Sequence, residues 1–106
     1  MVVTSYFPLD KAGEAAKNYV KSLQKYPPDA SLSKTLTVGV RATKDGYKVI
    51  GIGDVVKGKY EEALLRQTQS AQEFNASIEG YRYKIETFMD IKEAMPIVGI
   101  EAPENR

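Results

Sequence analysis

The chain has 106 residues, with 15 Lys and Arg against 14 Asp and Glu for a formal charge of +1 at pH 7, and it contains neither cysteine nor histidine. Near charge balance leaves no overall field to gather nucleic acid or an anionic membrane, so any such binding must come from a local patch. The missing cysteine excludes a disulfide framework, a thiolate nucleophile and a zinc site built on sulfur; the missing histidine removes the commonest general base and metal ligand.

The length suits one domain spanning residues 1–106, and 42% hydrophobic with 27% charged residues is the composition of a globular chain rather than a disordered one. "MVVTSYFPLD" lacks a basic region followed by an apolar run, and no stretch approaches the roughly 18 apolar residues of a membrane span. A cytoplasmic location is the default expectation.

"VVTSYF" (2–7) is β-branched and aromatic and is closed by Pro8, which predicts a first strand. Asp10 is placed to cap a helix beginning at Lys11, on which Ala12, Ala16, Tyr19, Val20, Leu23 and Tyr26 recur at three and four residues until Pro27-Pro28 stops it. In "LSKTLTVGVRATKDGYKVIGIGDVV" the Asp45-Gly46 pair separates two β-rich runs, a strong hairpin signal because both central residues of such a turn take φ > 0. With that pair as the two-residue loop, Val40 opposes Gly51, Val38 opposes Gly53 and Leu36 opposes Val55. One face then carries Leu36, Val38, Val40, Ala42, Val49, Gly51, Gly53 and Val55, nearly all apolar or bare backbone. The other mixes Thr35, Thr37, Arg41 and Lys48 with Ile50, Ile52, Asp54 and Val56.

Lys59 to Phe74 reads as a second helix, with Tyr60, Ala63, Leu64, Gln67, Ala71 and Phe74 on one side. Gly80 closes the turn that follows it. "YRYKIETFM" (81–89) alternates Tyr81, Tyr83, Ile85 against Arg82, Lys84, Glu86, a half-buried strand by period. The remainder, residues 90–106, reads as a helical turn, a short apolar run and a polar end.

The order is βαββαβ, an α+β chain expected to form a ferredoxin-like four-stranded antiparallel sheet with two helices on one face. On that element order over residues 2–89, the chain resembles the dimeric α+β barrel superfamily, in which two such sheets pack through their helix-free faces. The resemblance implies a homodimer through that face and widens the functional choices to a cofactor-independent monooxygenase- or isomerase-like enzyme using Tyr or a carboxylate as acid or base. The residues themselves point to a non-catalytic dimer, ligand-binding or interaction module. Met95, Ile97, Val98 and Ile100 are too apolar for a free end and have no place in the core, so the tail is expected to reach onto the partner.

Gly53 to Tyr60 fits GxxxxGK, but Tyr60 stands where a phosphate-binding loop needs a Ser or Thr for Mg²⁺, and Val55 and Val56 are strand residues, so no nucleotide cofactor is expected. Gly51 and Gly53 either let a helix approach closely or leave an apolar hollow with a few tyrosine hydroxyls, fit for a small apolar ligand. Of the ring positions on an RNA-binding sheet only Gly46-Tyr47 is kept, with Tyr47 turned toward the helices, so nucleic acid is not the expected partner. Tyrosines 19, 26 and 60 fall on helix core faces, and Lys17, Lys21 and Lys25 form a solvated stripe. Arg41, Lys48, Asp54, Arg82, Lys84 and Glu86 are expected on the helix-free face, either as ion pairs or with Asp54 or Glu86 as a base of raised pKa. The candidate pocket or interface residues are Tyr6, Arg41, Gly51, Gly53, Asp54, Tyr83 and Glu86; no metal site is expected.

Overall fold

A computed structural model describes residues 1–101. β1 (Val2–Phe7) ends at Pro8, which has no N–H to donate to a sheet. A 3-10 turn (Leu9–Lys11) follows, closed by the Lys11 N–H donating to the Pro8 carbonyl at 3.0 Å, and then α1 (Ala12–Lys25). That turn draws Asp10 inside itself, so the expected cap is not made: Lys11 holds the N-cap place with no side-chain bond. α1 stops one residue before Tyr26, whose φ −125°, ψ 69° is forced out of the helical region ahead of Pro27.

β2 (Ser33–Thr43) and β3 (Gly46–Val55) form the hairpin, two residues away from the expected register. Thr43 pairs with Gly46, Val40 with Val49 and Val38 with Gly51, leaving Lys44-Asp45 as the loop. Two local contacts select it. The Thr43 hydroxyl donates to the Gly46 carbonyl at 2.8 Å and accepts from the Asp45 N–H at 3.2 Å. Gly46 is needed inside the strand, because at its φ of 139° a Cβ would stand 2.6 Å from the Phe7 carbonyl oxygen. An even shift keeps the faces, but a β-bulge does not: Thr35 opposes Gly53 while Thr37 opposes Ile52, so Leu36 is an extra residue. Thr35 thereby joins the Gly53 side, and Leu36 leaves the row predicted for it.

α2 (Tyr60–Ser77) starts one residue late and runs three residues past Phe74; Gly80, at φ 83°, turns the chain into β4 (Arg82–Glu86), shorter than the nine residues expected. The structure is α+β, with one antiparallel sheet of four strands in the order β2-β3-β1-β4. Val3, Ser5 and Phe7 align with Gly51, Val49 and Tyr47 of β3, and Val3 and Ser5 with Ile85 and Tyr83 of β4. This is the side the helices cover: Phe7 and Tyr83 pack with Ala15 of α1, Phe74 of α2, Ile78 and Tyr81. At its centre Ile78 is 1% exposed, and the Tyr81 hydroxyl donates to Ser5 Oγ at 2.9 Å. Burial pushes the Tyr81 phenol above its usual pKa; the Ser5 bond pulls the other way and the neighbouring Tyr83 adds to the rise.

The helices meet through polar residues, with Ser22 and Ser70 hydroxyls 2.8 Å apart and Lys25 paired to Glu73. The packed stripe of α1 is therefore Ala15, Asn18 and Ser22, and its larger apolar residues point elsewhere: Tyr19, Val20 (56% exposed) and Leu23 are open, as is Tyr60 on α2. Tyr19 and Tyr60 thus do not fill the core as expected, while Tyr26 is half-buried under Arg66, whose guanidinium also reaches Asp29 at 3.4 Å and the Pro27 carbonyl. On β2, Leu36, Val38 and Val40 (65%) are equally uncovered.

After β4, Asp90 caps a short α3 (Ile91–Ala94) by accepting the Lys92 N–H at 2.8 Å, and a 3-10 turn (Met95–Val98) ends on Gly99 at φ 77°. Neither element buries a residue, and Val98 is 72% exposed. The radius of gyration is 15.8 Å, against about 13 Å for a compact chain of this length. No helix among the described residues is long and apolar enough to cross a membrane.

Candidate ligand-binding face

The side of the sheet away from the helices is ordered in rows by the strand register. Arg41 opposes Lys48, Lys48 opposes Tyr6 and Tyr6 opposes Arg82, so one row crosses all four strands in the order β2, β3, β1, β4. The next row holds Gly39, Ile50, Thr4 and Lys84, and the one after it Thr37, Ile52, Val2 and Glu86. Asp54 lies beyond, opposite Lys34 on β2. The face thus has a basic aromatic end, an aliphatic middle at Val2, Ile50 and Ile52, and a far end of mixed charge.

Within the first row the Tyr6 ring is flanked on both sides. Lys48 Nζ lies 5.9 Å and the Arg82 guanidinium carbon 5.5 Å from its centroid, both within cation–π range. Among the described residues Arg41, Lys48 and Arg82 take part in no ion pair, whereas Lys84 meets Glu86 at 3.6 Å. A depression of about 360 Å³ opens beside the row at the end of the sheet, and Tyr6, Thr43, Asp45, Tyr47, Lys48 and Arg82 are among the residues lining it.

The predicted site residues divide between the two faces. Tyr6 and Arg41 share the basic row; Asp54 and Glu86 are on the same face but at its opposite end. Gly51, Gly53 and Tyr83 belong to the helix side, where the Tyr83 hydroxyl accepts from Gln72 Nε2 at 2.6 Å and so serves packing. Of the two arrangements expected for the glycines, a helix resting on them is not the one seen. A Cβ built on Gly51 meets nothing within 4 Å, and one on Gly53 meets only the Lys34 carbonyl oxygen at 3.7 Å. Those glycines lie under open space beside the uncovered Val38 and Val40.

Lys48 and Arg82 were legible as charges on this face, but their convergence on Tyr6 depends on β1 lying between β3 and β4, which no local pattern reveals. Gly53 to Val55 is paired strand, the Gly53 N–H donates to the Met1 carbonyl at 2.9 Å, and Lys59 Nζ meets Glu62 at 3.5 Å, so these residues form no phosphate cradle. Tyr47 stacks on Phe7 on the helix side, ring centroids 5.3 Å apart, as its alternation predicted.

No protein-family model, curated protein or solved structure matches the chain.

Proposed function

We propose that the chain is a single ferredoxin-like domain acting as a homodimeric small-molecule-binding module of the dimeric α+β barrel kind, with the helix-free faces of two copies apposed. The element order and the strand order β2-β3-β1-β4 support the fold. Uncovered surface carries the dimer. Leu36, Val38, Val40, Ile97, Val98 and Ile100 are each more than half exposed, a larger apolar surface than a monomer usually leaves to water. Val2, Ile50 and Ile52 supply the apolar centre of the apposed faces. The tail carrying Ile97, Val98 and Ile100 reaches onto the partner, where the exposed Val38 and Val40 of β2 are its match. Sedimentation equilibrium at micromolar concentration tests the reading: a dimer is expected, and a monomer overturns it.

A second reading, a cofactor-independent enzyme, draws on one observation. Asp45 and Tyr6 line the depression at the end of the sheet together with Lys48 and Arg82, residue types able to exchange protons with a bound substrate. Asp45→Asn separates the two readings once a ligand is in hand, since an enzyme loses turnover while a binding module keeps its affinity.

A further inference from the structure

We infer that the row Arg41, Lys48, Tyr6 and Arg82 binds a small anion carrying a planar ring, with its carboxylate or phosphate held among the cations and its ring lodged in the adjoining depression that Tyr6 borders. This names the ligand class for the binding function proposed above, yet the site is built by one chain and is complete without a second copy.

The first support is electrostatic. Arg41 and Lys48 are direct partners across paired strands, a placement in which like charges repel. A third cation, Arg82, lies on the other side of Tyr6 in the same row. No carboxylate within ion-pair distance compensates any of them among the described residues, Asp45 of the adjoining depression included. An anion seated there relieves the repulsion that folding builds in, and both arginines present a planar fork that meets carboxylate or phosphate through two bonds.

The second support is geometric. Neighbouring strands are about 4.8 Å apart, so the row brings its cations within about 15 Å across the sheet, a span long side chains close around one ligand. Tyr6 stands between Lys48 and Arg82 with cations 5.9 and 5.5 Å from its ring, which holds both charges at the edge of the depression they line. The adjoining depression of about 360 Å³ falls at the lower end of the range of small-ligand sites, about 300–1,000 Å³. It opens at the end of the sheet, among Pro8, Gly80 and the hairpin loop, so that it does not depend on the middle of the face being free.

The same geometry selects a small ligand over a nucleic-acid strand. Strand binders offer successive stacking rings along a groove. Here the neighbouring rows of the face hold Ile50, Thr4, Ile52 and Val2, and Tyr47 and Tyr83 are turned to the helices, so Tyr6 stands alone.

The test uses the full chain, ¹⁵N-labelled, titrated separately with phenyl phosphate, benzoate, inorganic phosphate and phenol. Saturable shifts confined to residues around Tyr6, Lys48 and Arg82 are expected for phenyl phosphate, benzoate or both, at least about tenfold tighter than for inorganic phosphate or phenol; which of the two binds better decides between phosphate and carboxylate. Lys48→Gln and Arg82→Gln should each weaken binding by about tenfold or more, and Tyr6→Leu, which removes one wall of the depression and the ring that positions both cations, should reduce the advantage of the ring-bearing probes over inorganic phosphate. Arg41→Gln should weaken binding while raising the melting temperature, because it removes one of two opposed cations; lost affinity with lost stability would point to a structural role and overturn the assignment. No saturable shift with either ring-bearing anion, shifts unchanged by the substitutions, or tighter binding of a single-stranded oligothymidylate would each overturn it as well. Sedimentation of the same samples keeps failure of this site distinct from failure of the dimer.

Discussion

Replacing Ile52 by glutamate places a carboxylate at the aliphatic middle of the helix-free face, between Val2 of β1 and Thr37 of β2. Ile52 is only half-buried in the single chain, so the monomer can keep the new carboxylate in contact with water and should lose no more than about 1 kcal/mol. In the apposed dimer the group is covered. An unpaired buried charge costs about 3–5 kcal/mol, and twofold symmetry applies it once per copy, or about 6–10 kcal/mol per dimer. Protonation limits that figure: raising a glutamate pKa by about three units costs only about 4 kcal/mol per copy. Even half of the total weakens association by more than about a hundredfold. Sedimentation equilibrium of Ile52→Glu across pH 4 to 8, beside equilibrium denaturation of the same samples, should therefore find a folded monomer at neutral pH and a return toward dimer as the carboxyl takes up a proton. Lys21→Glu, on the exposed surface of α1, should leave association unchanged. An Ile52→Glu protein that dimerises at neutral pH as tightly as the wild type would refute the apposed faces.

The absence of native cysteine makes crosslinking clean: a chain carrying Val38→Cys and Ile97→Cys should form disulfide-linked dimers on oxidation, and a purely intramolecular product would place the tail on its own sheet. Ile78→Ala, at the most buried large side chain, should cost about 2–5 kcal/mol in urea denaturation; a loss below 1 kcal/mol would mean that the Ala15–Ile78–Tyr81 cluster is not the core. Tyr81→Phe removes the bond to Ser5 and should cost about 1–2 kcal/mol at neutral pH. Because the folded-state pKa of Tyr81 is raised, its contribution is full below the unfolded phenol value near pH 10 and is lost as pH rises through the folded one. The wild type should thus destabilise more steeply than Tyr81→Phe on the alkaline side, and parallel alkaline limbs would contradict the burial effect.

The elements were legible because each has a period of its own, and their boundaries moved only where tertiary contacts intervened. Asp45-Gly46 announced the hairpin correctly, but its register was set by the Thr43 hydroxyl and by the lack of room for a side chain at Gly46 beside Phe7, a contact with β1 that lies far off in sequence. The apolar stripe of α1 was equally plain, yet Ala15 and Ser22 rather than Val20 and Leu23 face the packed interior, since α2 offers a serine hydroxyl there. Of the candidate site, Tyr6 and Arg41 could be read as lone residues of suitable chemistry. Their meeting with Lys48 and Arg82 could not, because it is written in the strand order of the sheet and in two antiparallel registers that begin more than forty residues away.

The extra residue at Leu36 also bears on solubility. β2 is an edge strand of eleven residues with a free rim of N–H and C=O groups, and its exposed valines would make a straight version of it a ready template for strands of other chains. By bending the strand and interrupting its pairing, the bulge breaks that rim into two shorter ledges, with Lys34 on one and Arg41 on the other. Removing one aliphatic side chain from this strand, together with its backbone unit, would restore an unbroken alternation and with it a surface on which fibrous aggregates can grow.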